Sequence, residues 1–541
     1  MSSLSLNNNR KRQKLNMPFP LNNDQYHRDM SLVIVENHEE NLTPLQDRES
    51  SSDSVIFIRE NDLTKSFTNV IPPPSEPIQV GATKRRTNSL PQLPLSQIGY
   101  TRVAQRYKVG EVVPNFIPAN YTTSPVKSRN SSTASSSDNY MSSYNSSSSS
   151  STPPKEVTDE NGFYIANPGD YFANNRFKIL GILGQGTFGK VIKALDLETD
   201  ETVAIKIIRA IPKYREASKI ELRILTALKN ADPGNKNHCI HLREVLDYEN
   251  HICIITDLLD ISLYEFLVKN KFKPFPGSQI QAISRQLVRS IAFLHDLNLI
   301  HTDLKPENIL LTNSSFSKFK RNSYRVLKDP LINIIDFGSA IFSDEYHSEL
   351  VSTRHYRAPE IVLGIGWSFE CDLWSLGCIL VELVTGEALF NTHENAEHMK
   401  IMELLLERPV PSHMVSRCPN DAVKKLFMVN TNVMKYKLNY PNKSSPQKSL
   451  DLLKTIKPLD QLISSKIGIN IRHSCSVKEN YESLNEKRFD METICFWWHF
   501  ADLVYSLLKF DPKERSSALQ VLANHHWWDY GIIDEATSSM V

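Results

Sequence analysis

A glycine-rich stretch between two strand-like segments restricts the fold of this chain more than any other feature of its sequence. Gly184, Gly186, Gly189 and Val191 fit the pattern G-x-G-x-x-G-x-V, whose glycines let a hairpin backbone approach phosphate groups without Cβ collisions. The pattern alone is weak, because a dinucleotide-binding turn or an ordinary loop also contains it. A dinucleotide-binding turn, however, opens a helix, whereas here the strand pattern continues through Val191. The stretch therefore predicts a β-hairpin that covers phosphates.

A lysine on the next strand extends this pattern. Ala204 and Lys206 belong to a V-A-I-K segment that begins twelve residues after Val191. An exposed strand lysine is the alternative interpretation, but the position behind a glycine-rich hairpin favours a lysine that holds phosphate. The helix predicted next offers two acidic partners for it. Glu221 lies beside the apolar stripe of that helix and is the favoured partner, while Glu216 is the alternative.

The second half of the chain contains a matching set of polar residues. In the segment H-x-D-L-K-P-E-N, Asp303 can accept the proton of a substrate hydroxyl, and Lys305 can neutralise charge on a transferring phosphoryl group. Asn308 and Asp336 supply oxygen ligands suited to Mg²⁺, which prefers oxygen and substrate phosphates. Each residue alone could be accidental, but a chance match of all of them in this order is negligible. The sequence therefore predicts phosphoryl transfer that uses ATP and Mg²⁺.

Composition separates a polar N-terminal segment from the rest of the chain. Residues 1–165 are rich in Ser, Asn, Pro and Thr and lack sustained apolar periodicity, so we expect a disordered tail. Two β-like runs in it, SLVIVE and SVIFIRE, are either docking motifs or chance apolar runs. The basic clusters at 10–14 and 84–86 either direct nuclear import or are solvated charge. We expect the protein in the nucleus and the cytoplasm.

Charge and cysteine usage exclude several classes of protein. The formal net charge is +1, which gives no overall field for binding nucleic acid or a membrane. Seven cysteines without a C-x-x-C pair suit a reducing compartment and disfavour a disulfide framework or a zinc ribbon. No uncharged run approaches the roughly 20 residues that span a bilayer. We therefore expect a soluble, intracellular protein without direct nucleic-acid or membrane binding.

The order of predicted elements indicates an α+β fold with two lobes. Strand patterns with one helix fill residues 170–258, and amphipathic helical patterns dominate residues 259–530. We expect a small β-rich N-lobe, a larger helical C-lobe and the predicted active residues in the cleft between them.

These motifs together resemble the eukaryotic protein kinases over roughly residues 170–530. The segment STRHYRAPEIVLG matches the family's activation-segment ending, and the resemblance implies a buried pair of Glu360 with Arg515. Asp372, in CDLWSLG, resembles the helix aspartate that holds the catalytic-loop backbone. The bilobal protein kinase fold is the implied architecture.

Finer motifs are similar to the LAMMER, or Cdc-like, kinases, which are close to the cyclin-dependent and DYRK kinases. HTDLKPEN, DFGSA and GWSFECDLWSLGCIL carry this resemblance, and residues 312–331 resemble an extra hairpin of that group. The naming motif E-H-L-A-M-M-E-R is matched only in part, with departures that include Lys400 and Leu404. Residues 412–490 look like an irregular insertion. A DYRK-like kinase with other substrates, or a pseudokinase scaffold, remains an alternative.

Thr302 stands where most protein kinases have an arginine. That arginine receives a phosphate on the activation loop, and a threonine cannot form the same bidentate ion pair. We therefore predict a kinase that is active without loop phosphorylation, its loop held by its own side chains through Arg354 and Arg357. A dead enzyme is disfavoured, because the predicted lysine, aspartates and asparagine are all present.

The kinase resemblance also implies the nucleotide and protein sites. Its adenine-binding positions fall on Leu183, Val191, Ala204, Leu310 and the hinge residues Asp257 and Leu259. The LAMMER resemblance implies Ser/Thr phosphorylation of basic Arg/Ser-rich splicing factors, with autophosphorylation on tyrosine. Glu307 could bind a substrate arginine, or it is a solvated loop carboxylate. We expect a monomeric kinase domain that acts on proteins.

Overall fold

The computed structural model describes most of the predicted kinase region and little of the tail. Described are residues 122–123, 157–318, 325–419, 421–430, 432–433, 435–484, 489–534 and 536–537. Most of the predicted disordered tail, with its β-like runs and basic clusters, lies outside these residues.

The first part of the described chain forms a mainly antiparallel sheet around the glycine-rich hairpin. Along the sheet, the order of its strands is β1, β6, β7, β5, β4, β3 and β2, and only the β1–β6 pair is parallel. In chain order the strands are β1 (Thr122–Thr123), β2 (Tyr171–Phe172), β3 (Phe177–Gln185), β4 (Gly189–Asp196), β5 (Glu201–Ile208), β6 (Leu242–Tyr248) and β7 (His251–Asp257). On β5, the β-branched residues Val203, Ile205 and Ile207 are buried on one face of the sheet. Ala204 and Lys206 alternate with them and lie on the opposite face.

One long helix packs against this sheet. Helix α1 (Pro212–Ala231) begins with a proline, which suits the first turn because its backbone lacks an N–H that would need a partner. Its buried face includes Leu222, Leu225 and Glu221, so the helix brings one carboxylate to the sheet along with its apolar residues. The apolar spacing of the sequence predicted this orientation.

The ordered lobe begins before residue 170, so the expected boundary is too late. Tyr164 is 6% exposed, and its carbonyl accepts a hydrogen bond from Lys190 Nζ at 2.8 Å. Thr158 Oγ1 lies 2.9 Å from His251 Nε2. The end of the predicted disordered tail therefore packs on the sheet. Its apolar residues are too few and too irregularly spaced to reveal this from periodicity.

The larger lobe is built around the buried helix α5. It contains α2 (Leu263–Lys269), α3 (Gly277–Asp296), α4 (Pro359–Leu363), α5 (Glu370–Thr385), α6 (Asn395–Leu406), α7 (Ser412–Ser416), α8 (Asp421–Lys424), α9 (Gln447–Thr455), α10 (Leu459–Ile467), α11 (Val477–Ser483), α12 (Met491–Leu507) and α13 (Ala518–Asn524). Residues 371–385 of α5 are all buried, and α3, α10 and α12 pack around it. Helices α2, α11 and α13 begin with capping boxes that satisfy backbone N–H groups at their first turns.

Short antiparallel strand pairs carry the catalytic segments between these helices. The pairs are β8 (Leu299–Ile300) with β13 (Ile341–Phe342), β9 (Ile309–Leu311) with β12 (Ile332–Ile334), and β10 (Phe316–Lys318) with β11 (Arg325–Leu327). The last pair lies within the hairpin expected at 312–331, and residues 319–324 are outside the described part of the chain.

The insertion at 412–490 is more regular than expected. Its described residues form helices α7 to α11 and a hairpin of β14 (Phe427–Asn430) with β15 (Lys435–Leu438). These elements have four to nine residues each, too short for a periodic pattern to show in the sequence.

The expected α+β fold, with a small sheet lobe and a larger helical lobe, is confirmed. Within the described part of the chain, no helix combines the length and the apolar character needed to span a bilayer.

Candidate active site

Lys206 on β5 forms the predicted ion pair with Glu221 on α1. Lys206 Nζ lies 2.8 Å and 2.9 Å from the two carboxylate oxygens of Glu221. The alternative partner Glu216 pairs instead with Lys219 on the surface. Asp336 Oδ1 lies 3.4 Å from Lys206 Nζ, so the same ammonium group contacts carboxylates from both lobes.

These carboxylates keep Lys206 positively charged. Burial, the largest influence, lowers the pKa of Lys206, but the charges of Glu221 and Asp336 more than offset it. The pKa of Lys206 is therefore raised above its ordinary value, and the side chain stays protonated across the physiological range. A fixed cation of this kind can bind nucleotide phosphates.

Strand register places the predicted nucleotide residues of β4 and β5 on one face of the sheet. Val191 is opposite Lys206, Lys193 is opposite Ala204, and Ala204 is also opposite Thr256. Directly opposed residues share a face, and every second residue along a strand returns to it. Val191, Ala204 and Lys206 therefore share one face, so an adenine over the first two would have its phosphates near the lysine.

The remaining predicted adenine residues lie at element ends. Leu183 is near the end of β3 with 52% of its surface exposed, and Leu310 lies on β9 of the helical lobe. Asp257 ends β7, where its Oδ1 accepts a hydrogen bond from Arg243 Nε at 2.5 Å. Leu259 follows as a partly buried residue. Adenine contact by these residues stays a prediction.

The glycines of the hairpin have two different physical roles. A Cβ on Gly189 would lie 2.2 Å from the Ile207 carbonyl oxygen, so this position needs glycine for the packing of β4 on β5. A Cβ on Gly184 or Gly186 would meet no heavy atom within 4 Å. The protein itself does not require glycine at these two positions, which fits a need for clearance toward a bound phosphate.

Asp303 is held by a lysine and a threonine. Lys305 Nζ lies 2.8 Å from Asp303 Oδ2, while the backbone N–H and hydroxyl of Thr353 donate to Oδ1 at 2.8 Å and 2.7 Å. Burial would raise the pKa of Asp303, but Lys305 and the Thr353 donors more than offset it and lower the pKa. The carboxylate is therefore ionised at neutral pH. No local pattern pointed to Thr353, because it lies 50 residues from Asp303.

The catalytic-loop backbone is fixed by Asp372, as the kinase resemblance implied. The backbone N–H groups of His301 and Thr302 each donate to the Asp372 carboxylate at 2.9 Å, and His295 Nε2 lies 3.0 Å from it. Thr302 has φ of 69°, a left-handed conformation that is costly for a β-branched residue. The buried Asp372 carboxylate offsets this strain.

Asn308 and Asp336 present oxygen atoms suited to Mg²⁺. Asn308 Nδ2 donates to the Asp303 carbonyl oxygen at 2.9 Å, so the amide oxygen Oδ1 faces away from that bond. Asp336 has a partly exposed side chain, and Lys206 lowers its pKa, so it is anionic. Among the described residues no group of three or more His, Cys, Asp or Glu could hold a metal ion. Two protein oxygens completed by nucleotide phosphates fit Mg²⁺, which takes few protein ligands in such sites.

Thr302 links two parts of the activation segment without carrying charge. Its Oγ1 donates to the Ser339 carbonyl oxygen at 2.9 Å, and Ser352 Oγ donates to the Thr302 carbonyl oxygen at 2.5 Å. The hydroxyl thereby anchors the start of the segment, and the carbonyl anchors its end.

The two arginines predicted to hold this segment both form hydrogen bonds. Arg357 Nε and Nη2 donate to the Val351 and Ser352 carbonyl oxygens at 3.0 Å and 2.8 Å, and Arg354 Nη1 donates to Asn395 Oδ1 at 2.9 Å. The loop is therefore held by bonds to its own backbone and to helix α6.

Glu307 has a buried carboxylate oxygen, Oε2, with no hydrogen-bond partner in the described structure. Burial raises the pKa of Glu307.

A second acid, Glu382 of α5, accepts a hydrogen bond from the Tyr356 hydroxyl at 2.7 Å, and burial raises the pKa of Glu382 to about 8. Sequence reasoning missed Glu382, because its partner Tyr356 lies 26 residues earlier in the chain and no motif links the two.

A comparison with protein families matches the model described as "Protein kinase domain" to residues 177–528. Among solved structures, the crystal structure of the PF14_0431 kinase domain has a TM-score of 0.56 and 31% identity. The match covers 68% of this chain and 99% of that domain.

Several curated proteins are similar to this chain. Dual specificity protein kinase KNS1 of Saccharomyces cerevisiae is 42% identical over 440 residues, which cover 71% of this chain and 60% of KNS1. Dual specificity protein kinase lkh1 of Schizosaccharomyces pombe is 49% identical, with 57% of this chain and 44% of lkh1 covered. Serine/threonine-protein kinase AFC3 of Arabidopsis thaliana is 40% identical, with 67% and 84% covered. The chain thus spans less than two thirds of the two fungal relatives.

Proposed function

The chain belongs to the protein kinase family and, within it, to the Cdc-like LAMMER kinases, and we propose that it phosphorylates serine and threonine in proteins. The contact between Lys206 and Asp336 carries this proposal. It joins the lysine of the small lobe to the predicted metal ligand of the large lobe while Lys206 keeps its bond to Glu221. Phosphoryl transfer needs the Lys206–Glu221 pair and the metal-binding aspartate to be in place at the same time.

The residues divide the reaction among them. Lys206 orients the α- and β-phosphates of ATP, and Asp303 orients the substrate hydroxyl and accepts its proton. The hydroxyl oxygen bonds to the γ-phosphorus as the bond to the bridging oxygen of ADP breaks. Lys305, 2.8 Å from Asp303, neutralises charge on the transferring group. Asn308 and Asp336 would hold Mg²⁺, which supplies positive charge to the phosphates.

We further propose that the substrates are basic, Arg/Ser-rich proteins such as splicing factors, with tyrosine autophosphorylation in addition. The names of KNS1 and lkh1 include dual specificity, which supports the tyrosine activity. The buried carboxylate of Glu307, whose Oε2 has no hydrogen-bond partner among the described residues, supports a cationic substrate group. An arginine could supply the missing donor through a charge-assisted hydrogen bond.

Glu307→Gln should raise KM for an arginine-flanked serine peptide about tenfold, because a charge-assisted hydrogen bond is worth roughly 1.5–3 kcal/mol. KM for a peptide with neutral residues in place of arginine should change little. Steady-state kinetics on both peptides give the comparison, with Glu349→Gln, an exposed loop carboxylate, as the matched control. Equal changes in KM for both peptides would remove the arginine-binding role of Glu307.

We propose that loop phosphorylation is not required for activity, because the bonds of Thr302 and Arg357 already hold the segment. Protein treated with phosphatase, and shown by intact mass to carry no phosphate, should keep at least about half of its initial rate. The phosphatase must be removed before the assay, and a mock-treated sample serves as the control. Activity that falls to background would contradict this proposal.

We also propose that the protein occurs in both nucleus and cytoplasm and that its kinase domain acts as a monomer, without direct contact to nucleic acid or membrane. The basic clusters at 10–14 and 84–86 support nuclear import. Replacing both clusters with alanine should lower the nuclear fraction of a fluorescent fusion at least twofold. An unchanged nuclear fraction would show that these clusters do not direct import and are only solvated charge.

A further inference from the structure

Among the described strands, none pairs with one outer edge of the hairpin of β14 and β15. Its antiparallel register places Phe427 opposite Leu438, Met428 opposite Lys437 and Val429 opposite Tyr436. Phe427 and Leu438 are buried and anchor the base of the hairpin, whereas the residues beyond them reach toward solvent.

One hydrogen bond fixes which backbone groups point outward. The Asn439 N–H donates to the Leu426 carbonyl oxygen at 2.7 Å, just outside the Phe427–Leu438 pair. That pair is therefore not hydrogen-bonded, and pairs alternate along an antiparallel ladder. The N–H and C=O groups of Val429 and Tyr436 consequently point away from the partner strand.

The two outer edges of the hairpin differ in what covers them. On the β15 side, the outward N–H of Tyr436 donates to Ser412 Oγ of α7 at 3.0 Å. On the β14 side, no other described strand pairs with the edge. Met428 and Val429 on this strand are 50% and 47% exposed. An edge with free backbone groups and exposed apolar side chains is a template for another strand.

The segment that contains this edge is predominantly positive. Residues 421–443 contain five lysines and a single acidic residue, Asp421. Lys435 and Lys437 lie on β15 and are exposed, and the exposed Lys425 comes shortly before β14. A strand that pairs here with acidic side chains would meet complementary charge, which favours the encounter and the register.

We propose that the outer edge of β14 is a docking site for an acidic protein segment, which binds in extended conformation as a third strand of the hairpin. Backbone hydrogen bonds to Val429 supply the pairing, the exposed Met428 and Val429 supply apolar contact, and the lysines select acidic side chains. This function is separate from phosphoryl transfer and does not depend on it. RNA or an anionic bilayer would use the lysines without needing the strand edge.

The test uses the full chain and the fluorescein-labelled peptide EEIEVEIEE, which has no hydroxyl to phosphorylate. Binding is followed by fluorescence anisotropy, so loss of kinase activity cannot affect the result. The peptide should bind, whereas the charge-reversed KKIKVKIKK and a form N-methylated at alternate residues should each bind at least about tenfold more weakly. Equal binding of the N-methylated form would overturn strand pairing.

Protein variants locate the binding edge. Val429→Pro removes one outward N–H but no bond within the hairpin, and proline is tolerated on edge strands, so it should weaken binding at least about tenfold. Val429→Thr keeps that N–H and should weaken binding less than threefold. The double variant K435E/K437E should weaken binding about tenfold with the edge intact. The proposal would be overturned if both the proline and the glutamate variants bind the peptide with unchanged affinity. It would also be overturned if poly(U) RNA or phosphatidylglycerol vesicles displace the peptide equally well from the unaltered protein and from the Val429→Pro variant.

Discussion

Asp303→Asn is expected to lower kcat for protein phosphorylation by ~10²–10⁴, the usual contribution of a positioned general base. The amide oxygen can still accept the Thr353 hydrogen bonds that Oδ1 accepts now. An amide N–H₂, however, would replace Oδ2 opposite Lys305, and it neither carries charge nor takes a proton. Single-turnover transfer of labelled phosphate measures this change in the chemical step.

ATP affinity should change little in the same variant, because Lys206 and Asp336 are untouched. Calorimetric measurement of ATP binding shows whether the lower kcat comes from the missing general base or from a damaged nucleotide site. Asp451→Asn, the same substitution on an exposed helix of the insertion, should leave kcat unchanged. A kcat for Asp303→Asn within threefold of the unaltered protein would show that Asp303 is not the base.

Arg515→Met should destabilise the large lobe by about 3–5 kcal/mol, the usual effect of removing one partner of a buried ion pair. Arg515 Nη1 and Nη2 each lie 2.6 Å from a Glu360 carboxylate oxygen, and both side chains are fully buried. The guanidinium also lies over the Trp374 ring at 5.1 Å. Loss of the Arg515 guanidinium leaves the Glu360 carboxylate buried without a cation.

Urea unfolding followed by tryptophan fluorescence measures this difference as a shift in midpoint. The double variant Glu360→Met with Arg515→Met should be more stable than Arg515→Met alone, because it leaves no unpaired charge. Lys454→Met, which breaks an exposed pair with Asp451, should not move the midpoint. A double variant less stable than the single one would contradict unpaired charge as the cause.

Sequence patterns predicted the parts of the site that short motifs define. The Lys206–Glu221 pair is present as predicted. The Glu360–Arg515 pair and the Asp372 contacts, which the kinase resemblance implied, are also present. For Lys206 and Glu221, the periodic patterns of a strand and a helix limited where each side chain could point, whereas the other contacts were implied by the kinase resemblance.

Contacts between distant segments could not be predicted where the family resemblance implied nothing about them. The bonds of Thr353 to Asp303 join residues 50 positions apart, and nothing near Thr353 marks it. The packing of Tyr164 on the sheet was missed because its neighbours resemble the polar tail in composition. The helices of the insertion were missed because tertiary contacts, rather than long apolar repeats, stabilise such short elements.

The most direct measurement is the transfer of labelled phosphate from Mg²⁺-ATP to an array of serine peptides by the purified chain, with Asp303→Asn as the control. We expect labelling of arginine-flanked serines and of the protein itself, and at least a hundredfold less with the control. A well-folded protein that binds ATP but labels no peptide and not itself would be a scaffold rather than a kinase, and would contradict the proposed function.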